Sequence, residues 1–173
     1  MRHLEAAEKL LAQFKITNFP VPVEKIAEQL GAKVVYQPFD SRDNLSGVLF
    51  RENGNVTIAV NSKDPHTRKR FTLAHECGHL ALKHRGDIFV DQSIRLNRDG
   101  TSGLAIDTME IEANGFAAEL LMPRAWVLAE FTKRVQGQTV KAASLIKELA
   151  SAFDVSEKAM EYRLENLGLG IFA

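Results

Sequence analysis

Residues 71–82, with the sequence FTLAHECGHLAL, decide the fold of this chain. Apolar residues occupy most sides of a helix drawn through this stretch, which therefore should be buried. The stretch contains an H-E-x-x-H pattern, in which His75 and His79 lie four apart and share one helical face. Both imidazoles can reach one metal ion, and Glu76 is placed to act as a catalytic base on a water at that ion. The pattern predicts a buried helix with two metal ligands.

The segments before this helix predict a small sheet. Residues 33–39 are typical of a strand because they contain adjacent β-branched and aromatic side chains. Two further apolar runs, residues 47–51 and 56–61, are separated by Glu-Asn-Gly-Asn. Because Asn-Gly between such runs is a strong hairpin signal, we expect the two runs to pair antiparallel. Asp64 is then expected to cap the metal-bearing helix, with Pro65 as its first residue.

Helical spacing of apolar residues predicts most of the other elements. We expect helices at about 4–14, 22–31, 107–122, 123–134, 140–152 and 156–167, a short strand at 88–90 and a polar loop at 91–107. The fold class is then α+β, with a small antiparallel sheet packed on a helical bundle and two C-terminal helices that resemble a helix-turn-helix. Residues 1–136 are expected to form the metal-binding domain, and residues 137–173 a C-terminal helical extension packed on it as one compact unit.

Composition restricts the functional class. The 173 residues suffice for one domain with a proper core, and the 22 basic and 22 acidic residues balance. This balance disfavours nucleic-acid binding over the whole chain. No apolar run approaches the roughly 20 residues that span a bilayer, and no signal peptide is apparent. The single cysteine, Cys77, excludes an internal disulfide and fits a reducing cytoplasm, so we expect a soluble intracellular protein.

A catalytic zinc usually has three protein ligands, and the third must come from outside the H-E-x-x-H helix. The extended motif with a third histidine is absent, because Leu82 and Arg85 occupy the relevant positions. The segment Glu110-Ile111-Glu112-Ala113-Asn114 lies on a separate predicted helix that can return antiparallel to the first. Both acids flank the same apolar stripe, so spacing alone does not choose between Glu110 and Glu112.

Two segments are specific when taken together: residues 70–80, RFTLAHECGHL, and residues 112–123, EANGFAAELLMP. They resemble the ImmA/IrrE family of bacterial and phage metallopeptidases, and the likeness extends over about residues 47–123. The resemblance implies a zincin-like fold with one zinc ion per chain, held by His75, His79 and the Glu of the Glu-Ala-Asn segment, which is Glu112. It also implies a zinc-dependent endopeptidase, with Glu76 as the catalytic residue, that cleaves a helix-turn-helix repressor or an antitoxin at a specific site.

Several polar residues retain more than one interpretation. Glu110 stays open as the third ligand, while Asn114 and Glu119 are expected either to orient ligands or, for Glu119, to be solvated. His84 is expected either to contact free carbonyls at the helix end or to lie beside the metal. Cys77 should point away from the metal into the core. The residues considered as donors to the reaction oxyanion are His84, Tyr162, His66 and Arg70.

The sequence leaves two functions open besides peptidase activity, and it indicates one way in which a substrate could bind. The last two helices could bind DNA directly, although the charges of the second helix give no positive bias for phosphates. The chain could also be a non-catalytic, metal-dependent binder that sequesters its repressor. For a peptidase, an extended substrate is expected to pair with an exposed strand of the hairpin at residues 47–61.

Overall fold

The computed structural model describes residues 2–39, 45–86, 88–92, 100–136 and 140–169, and these residues form an α+β fold. The helices are α1 (Arg2–Gln13), α2 (Val23–Gln29), α3 (His66–Ala81), α4 (Gly100–Leu121), α5 (Arg124–Val135), α6 (Ala142–Phe153) and α7 (Glu157–Asn166). The strands are β1 (Ala32–Gln37), β2 (Leu45–Glu52), β3 (Asn55–Asn61) and β4 (Ile88–Gln92). The predicted fold class is confirmed.

The four strands form one mixed sheet in the order β1-β3-β2-β4. The predicted hairpin joins β2 and β3, and its turn residues Asn53 and Gly54 have φ values of 49° and 81°. Positive φ at both positions is the geometry of a type I′ turn, which matches the twist of the strands. β4 pairs antiparallel with β2, whereas β1 runs parallel to β3, so the sheet is not purely antiparallel. Both hairpin strands are therefore inner strands.

Helix α3 begins one residue later than the sequence predicts. Pro65 is its N-cap, with an extended ψ of 151°, so His66 is the first helical residue and no side chain caps the helix. At the other end, the N–H of His84 donates to the carbonyl of His79 and the N–H of Lys83 to that of Leu80. Together with the left-handed φ of 56° at Lys83, these bonds form a Schellman turn.

Helix α3 is buried between the sheet and helix α4. On the sheet side, Thr72 and Glu76 lie against Gly47 of β2, where an added Cβ would be 2.3 Å from Thr72 Cγ2. On the α4 side, a Cβ at Gly78 would be 3.1 Å from the Cα of Ala113. Two glycines therefore allow α3 to approach both neighbouring layers closely. Cys77, as expected, is a fully buried core residue.

Helix α4 is longer than the sequence predicts. It begins at Gly100 instead of residue 107, and β4 takes residues 91 and 92 from the expected loop. Residues 93–99, the rest of that loop, lie outside the described residues. Propensity underestimates the first turns of α4 because they contain two glycines and a threonine. Within the described part of the chain, no helix combines the length and apolarity required to cross a bilayer.

Helices α6 and α7 pack onto the rest of the protein. Ser156 caps α7, accepting a hydrogen bond from the N–H of Ala159 at 3.1 Å. Asp154, between the two helices, adopts a left-handed conformation. Buried residues of both helices, such as Phe153 and Met160, belong to the same hydrophobic cluster as residues of the sheet and of α3. The linker residues 137–139 fall outside the described part.

Candidate metal centre

Helices α3 and α4 bring three ligand-type side chains together. His75 Nε2 lies 3.1 Å from His79 Nε2 and 3.1 Å from Glu110 Oε2, and His79 Nε2 lies 3.3 Å from Glu110 Oε1. Among the described residues, this is the group of three or more His, Cys, Asp or Glu side chains whose ligand atoms could share one ion. Both histidines are almost completely buried, while Glu110 is partly exposed. The exposed side of the cluster leaves a direction from which a substrate can approach.

These separations fit a tetrahedral metal ion. Ligands at about 2.0–2.1 Å from a tetrahedral zinc are roughly 3.3 Å apart. The two imidazole nitrogens lie 3.1 Å apart, close to this value, and each lies within 3.3 Å of one Glu110 oxygen, Oε2 for His75 and Oε1 for His79. With one ligand atom taken from each residue, the three atoms lie within 4.8 Å of one another. Two histidine nitrogens and one carboxylate are also a donor set used by catalytic zinc sites with an open fourth position. The residues present therefore fit a metal that belongs to a hydrolase.

The local electrostatics favour the forms of the side chains that bind metal. Burial lowers the pKa of His79, so this imidazole is held neutral despite its contact with Glu110. Burial alone would raise the pKa of Glu110, but hydrogen bonds from His75 and His79 outweigh burial and bring the pKa to about 2. The cluster thus contains an ionised carboxylate and at least one neutral imidazole at neutral pH, which are the ligand forms.

Glu112, the third ligand implied by the family resemblance, has a different contact. Its Oε2 lies 3.1 Å from His84 Nε2, and the other ring nitrogen of His84 lies 3.0 Å from His79 Nδ1. The structure therefore assembles Glu110, and not Glu112, with His75 and His79. The ring of His84 therefore lies beside the metal cluster. The expected contact with a carbonyl at the helix end is present, but the backbone N–H of His84 makes it, to the carbonyl of His79.

The two other residues considered as ligand partners lie in different places. Asn114 Oδ1 is 3.1 Å from His75 Nδ1, which is the position required to orient that ring. Glu119 lies nine residues after Glu110 on α4, and its carboxylate binds Arg163 and the N–H of Arg124. Glu119 is not solvated, because it is only 2 % exposed. It also lies away from the metal cluster, where it connects the end of α4 to α7 through Arg163.

The catalytic glutamate predicted by the motif lies between the two histidines on α3. Glu76 is fully buried, and its Oε1 is 3.4 Å from the position that a Cβ on Gly47 would occupy. Its carboxylate therefore lies between α3 and β2. Because a buried carboxylate is costly to maintain, this position is more consistent with a functional role than with a surface acid.

The oxyanion donors considered from sequence are dispersed. His66 and Arg70 both contact Asp154, at the N-terminal end of α3. Tyr162 lies on α7 with Lys158 over its ring. His84 alone of the four contacts a residue of the metal cluster. A cavity of about 420 Å³ near His66 and Arg70 has no lining residue from that cluster.

Sequence reasoning missed two contributors to the site. Phe89 of β4 packs against the ring of His79, with 4.3 Å between ring centroids, and so fixes one side of that imidazole. Lys83 provides the left-handed residue that turns His84 back toward α3. The strand was predicted, but its distance from the motif in sequence gave no sign of the contact. The left-handed turn is formed by a lysine, a residue type that gives no signal for such a conformation.

The chain also has clear relatives. The family model described as the IrrE N-terminal-like domain matches residues 27–165. "Uncharacterized immunity region protein 2" of Bacillus phage phi105 is 27% identical over 154 residues, which are 88% of this chain and 89% of that protein. "Radiation response metalloprotease IrrE" of Deinococcus radiodurans is 34% identical over 135 residues, 78% of this chain but only 37% of that protein. Since the matched range covers most of its length, the chain belongs to the ImmA/IrrE family of metallopeptidases, and family membership implies a metal.

Proposed function

We propose that this protein is a zinc-dependent endopeptidase in which His75, His79 and Glu110 hold the zinc. The observation that carries this proposal is the convergence of three ligand groups, in which the two imidazole nitrogens lie 3.1 Å apart and one ligand atom from each residue lies within 4.8 Å of the others. Glu110 is preferred to Glu112 because its two oxygens face the two histidines of the motif. The name of the Deinococcus relative and the family model support a peptidase.

The chemistry follows from the positions of the side chains. A zinc ion bound there would lower the pKa of a water ligand to about 7 and polarise the scissile carbonyl. Glu76 accepts the proton of the attacking water and later donates it to the leaving amine. Asn114 orients the ring of His75 through the contact between Asn114 Oδ1 and His75 Nδ1. Both histidines are buried, so their side of the site is shielded from solvent.

The substrate path differs from the one expected from sequence. Strands β2 and β3 have neighbours on both sides, so the hairpin offers no free edge along its paired residues. Within the described sheet, β4 is an edge strand, and its Phe89 contacts His79. We therefore place the extended substrate along β4. Proline scanning of a cleaved substrate tests this path, and turnover unaffected by proline at every position near the scissile bond would contradict it.

For the substrate we propose a helix-turn-helix repressor or antitoxin, encoded near the gene for this protein. The phage relative supports this choice because its name assigns it to an immunity region. Incubation of the purified zinc-loaded protein with such a repressor should yield one pair of fragments. Digestion at many sites, or of unrelated unfolded proteins at the same rate, would contradict a site-specific regulatory protease.

Metal analysis of a matched pair of variants tests the ligand set. We expect about one zinc per wild-type chain by mass spectrometry, a loss of zinc in Glu110→Gln, and retention in Glu112→Gln. The two substitutions are chemically identical and only two residues apart on α4, so a general effect on the helix should appear in both. Loss of zinc in Glu112→Gln with retention in Glu110→Gln would assign the third ligand to Glu112.

The catalytic role of Glu76 needs a separate test. We expect Glu76→Gln to bind zinc like the wild type and to lose cleavage, because Gln cannot accept the proton of the water. Full repressor inactivation by Glu76→Gln would instead favour a non-catalytic binder that sequesters its partner.

We place the metallopeptidase part at residues 1–136 and a C-terminal extension at residues 137–173. Direct DNA binding by this extension has less support than peptidase activity. Arg163, one of the cations of α7, is buried against Glu119 and so does not face solvent. Lys158 pairs with Glu161 at 2.8 Å on the exposed side of α7. A gel shift at low salt should therefore show no DNA binding. A salt-sensitive shift would restore the DNA-binding alternative.

A further inference from the structure

The end of helix α3 returns a third histidine to the metal cluster. His84 follows the left-handed residue Lys83, and its N–H donates to the carbonyl of His79 at 3.0 Å. This Schellman bond fixes the backbone of residue 84 against the backbone of residue 79. The ring of His84 is consequently packed edge-on against the ring of His79, with 5.0 Å between centroids. The contact is a direct product of how the helix terminates.

Both ring nitrogens of His84 are engaged. Its Nε2 lies 3.1 Å from Glu112 Oε2, and its Nδ1 lies 3.0 Å from His79 Nδ1. A carboxylate only accepts hydrogen bonds, so His84 Nε2 must carry the proton that it donates. In the neutral ring, Nδ1 is then an acceptor, and His79 Nδ1 is the donor to it. In the zinc-loaded protein this tautomer leaves the lone pair of His79 Nε2, the nitrogen that faces His75 and Glu110, for the metal, whereas without metal the same nitrogen can donate to Glu110.

We infer that Glu112 and His84 form a positioning pair that sets the tautomer and ring orientation of His79 for metal binding. This inference rests on the proposed zinc site. Metal-ligating histidines usually donate their second ring N–H to an acceptor, and loss of that acceptor typically weakens metal binding about 10–100-fold. Here the acceptor is a second histidine, itself oriented by a carboxylate. The two acids of the Glu110-Ile111-Glu112 segment thus serve different histidines.

Burial supports a positioning role over a role as proton donor to the substrate. His84 is 7 % exposed, and neither of its nitrogens is free to reach a reacting group. A histidine retained only to fill the core would not need two polar contacts at hydrogen-bond distance. Phe89 covers the ring of His79 separately, so the orientation of that ring is fixed by both an apolar and a polar neighbour.

Zinc affinity measured by competition with a chromogenic chelator tests the inference on the full chain. We expect His84→Phe, which removes the acceptor at similar size, to weaken zinc binding about 10–100-fold. His84→Asn can place Oδ1 near the position of the lost Nδ1 and should recover most of the affinity. The matched control is Leu82→Ala, a buried neighbour with no polar role, which should lower stability while leaving the affinity of the folded protein unchanged.

The outcomes separate the two proposals. Failure of the wild type to bind zinc would refute the proposed site itself. Wild-type affinity in His84→Phe, or equal losses in His84→Phe, His84→Asn and Leu82→Ala, would refute the positioning pair alone. Nitrogen NMR of the imidazoles in the zinc-loaded wild type provides a readout that needs no variant to fold. We expect His84 protonated at Nε2 and His79 at Nδ1, and the opposite tautomer at His84 would overturn the inference.

Discussion

Replacement of Arg163 by methionine should strongly destabilise this protein, although residue 163 lies far from the H-E-x-x-H motif in sequence. The guanidinium of Arg163 contacts Glu119 Oε2, and its Nε donates to the carbonyl of Met122 at 2.9 Å. The side chains of Arg163 and Glu119 are only 8% and 3% exposed. Glu119 Oε1 in turn accepts from the N–H of Arg124 at 2.8 Å, at the start of α5. One ion pair therefore joins α4, α5 and α7.

The expected loss in the free energy of unfolding depends on which buried polar groups each variant leaves without a partner. Arg163→Met leaves a buried carboxylate with one backbone donor, and breaking a buried pair by removing one partner costs about 3–5 kcal/mol. Glu119→Leu leaves a buried guanidinium and also removes the acceptor for Arg124, so its cost lies at the upper end of this range. The double variant has no buried charge. We expect it to lose about 2–4 kcal/mol, from the two backbone groups left without partners.

Urea denaturation followed by circular dichroism measures these free energies of unfolding. The measurements should be made in a chelator, because bound metal would add stability to the native state alone. Lys158→Ala on the exposed side of α7 is the control, and its denaturation midpoint should stay close to that of the wild type. A cost below about 1 kcal/mol for Arg163→Met, or strictly additive costs in the double variant, would refute the reasoning from a buried, coupled pair.

Four shorter predictions address other features. Gly47→Ala should lower the free energy of unfolding by about 1–3 kcal/mol, because the added methyl group overpacks against Thr72. In the same urea assay, adding Thr72→Ser should recover part of this loss. Wild-type stability of Gly47→Ala alone would count against the close approach of β2 and α3. Lys83→Gly should raise the free energy of unfolding by about 0.5–1 kcal/mol, because glycine adopts the left-handed turn without a Cβ penalty. Burial raises the pKa of the Cys77 thiol, so iodoacetamide should label the native protein only after urea is added, and rapid native labelling at pH 8 would contradict this. Zinc at 100 times its dissociation constant should add about 2.7 kcal/mol to stability, an increment that Glu110→Gln should abolish.

The parts of this fold that were predictable from sequence depend on short-range patterns. The H-E-x-x-H spacing places His75 and His79 on one helical face whatever the rest of the chain does. The Asn-Gly turn and the Ser156 cap likewise depend on residues within a few positions, and the structure contains both. Such features follow from local geometry, so one sequence suffices to find them.

The features that sequence did not predict depend on how distant elements pack. The direction of β1 relative to β3 is fixed by the crossover between them, which no local pattern encodes. The assignment of Glu110 and Glu112 depends on the rotation of α4 about its axis when it packs on α3. Two residues apart, they differ by about 200° around the helix, so the face that α4 turns toward α3 decides which of them meets the histidines. The likeness to the family favoured Glu112, whereas the packing places Glu110 beside the two histidines.

The missing side chain at Gly78 has a consequence for the spacing of the two helices that carry the candidate metal centre. Because an added Cβ would lie 3.1 Å from Ala113 Cα and 3.1 Å from Phe116 Cδ1, any larger residue must push α4 outward by a few tenths of an ångström. The histidines belong to α3 and Glu110 to α4, so that displacement would separate the two imidazoles from the carboxylate. Gly78, which supplies no ligand itself, therefore sets the distance between the two halves of the candidate metal centre.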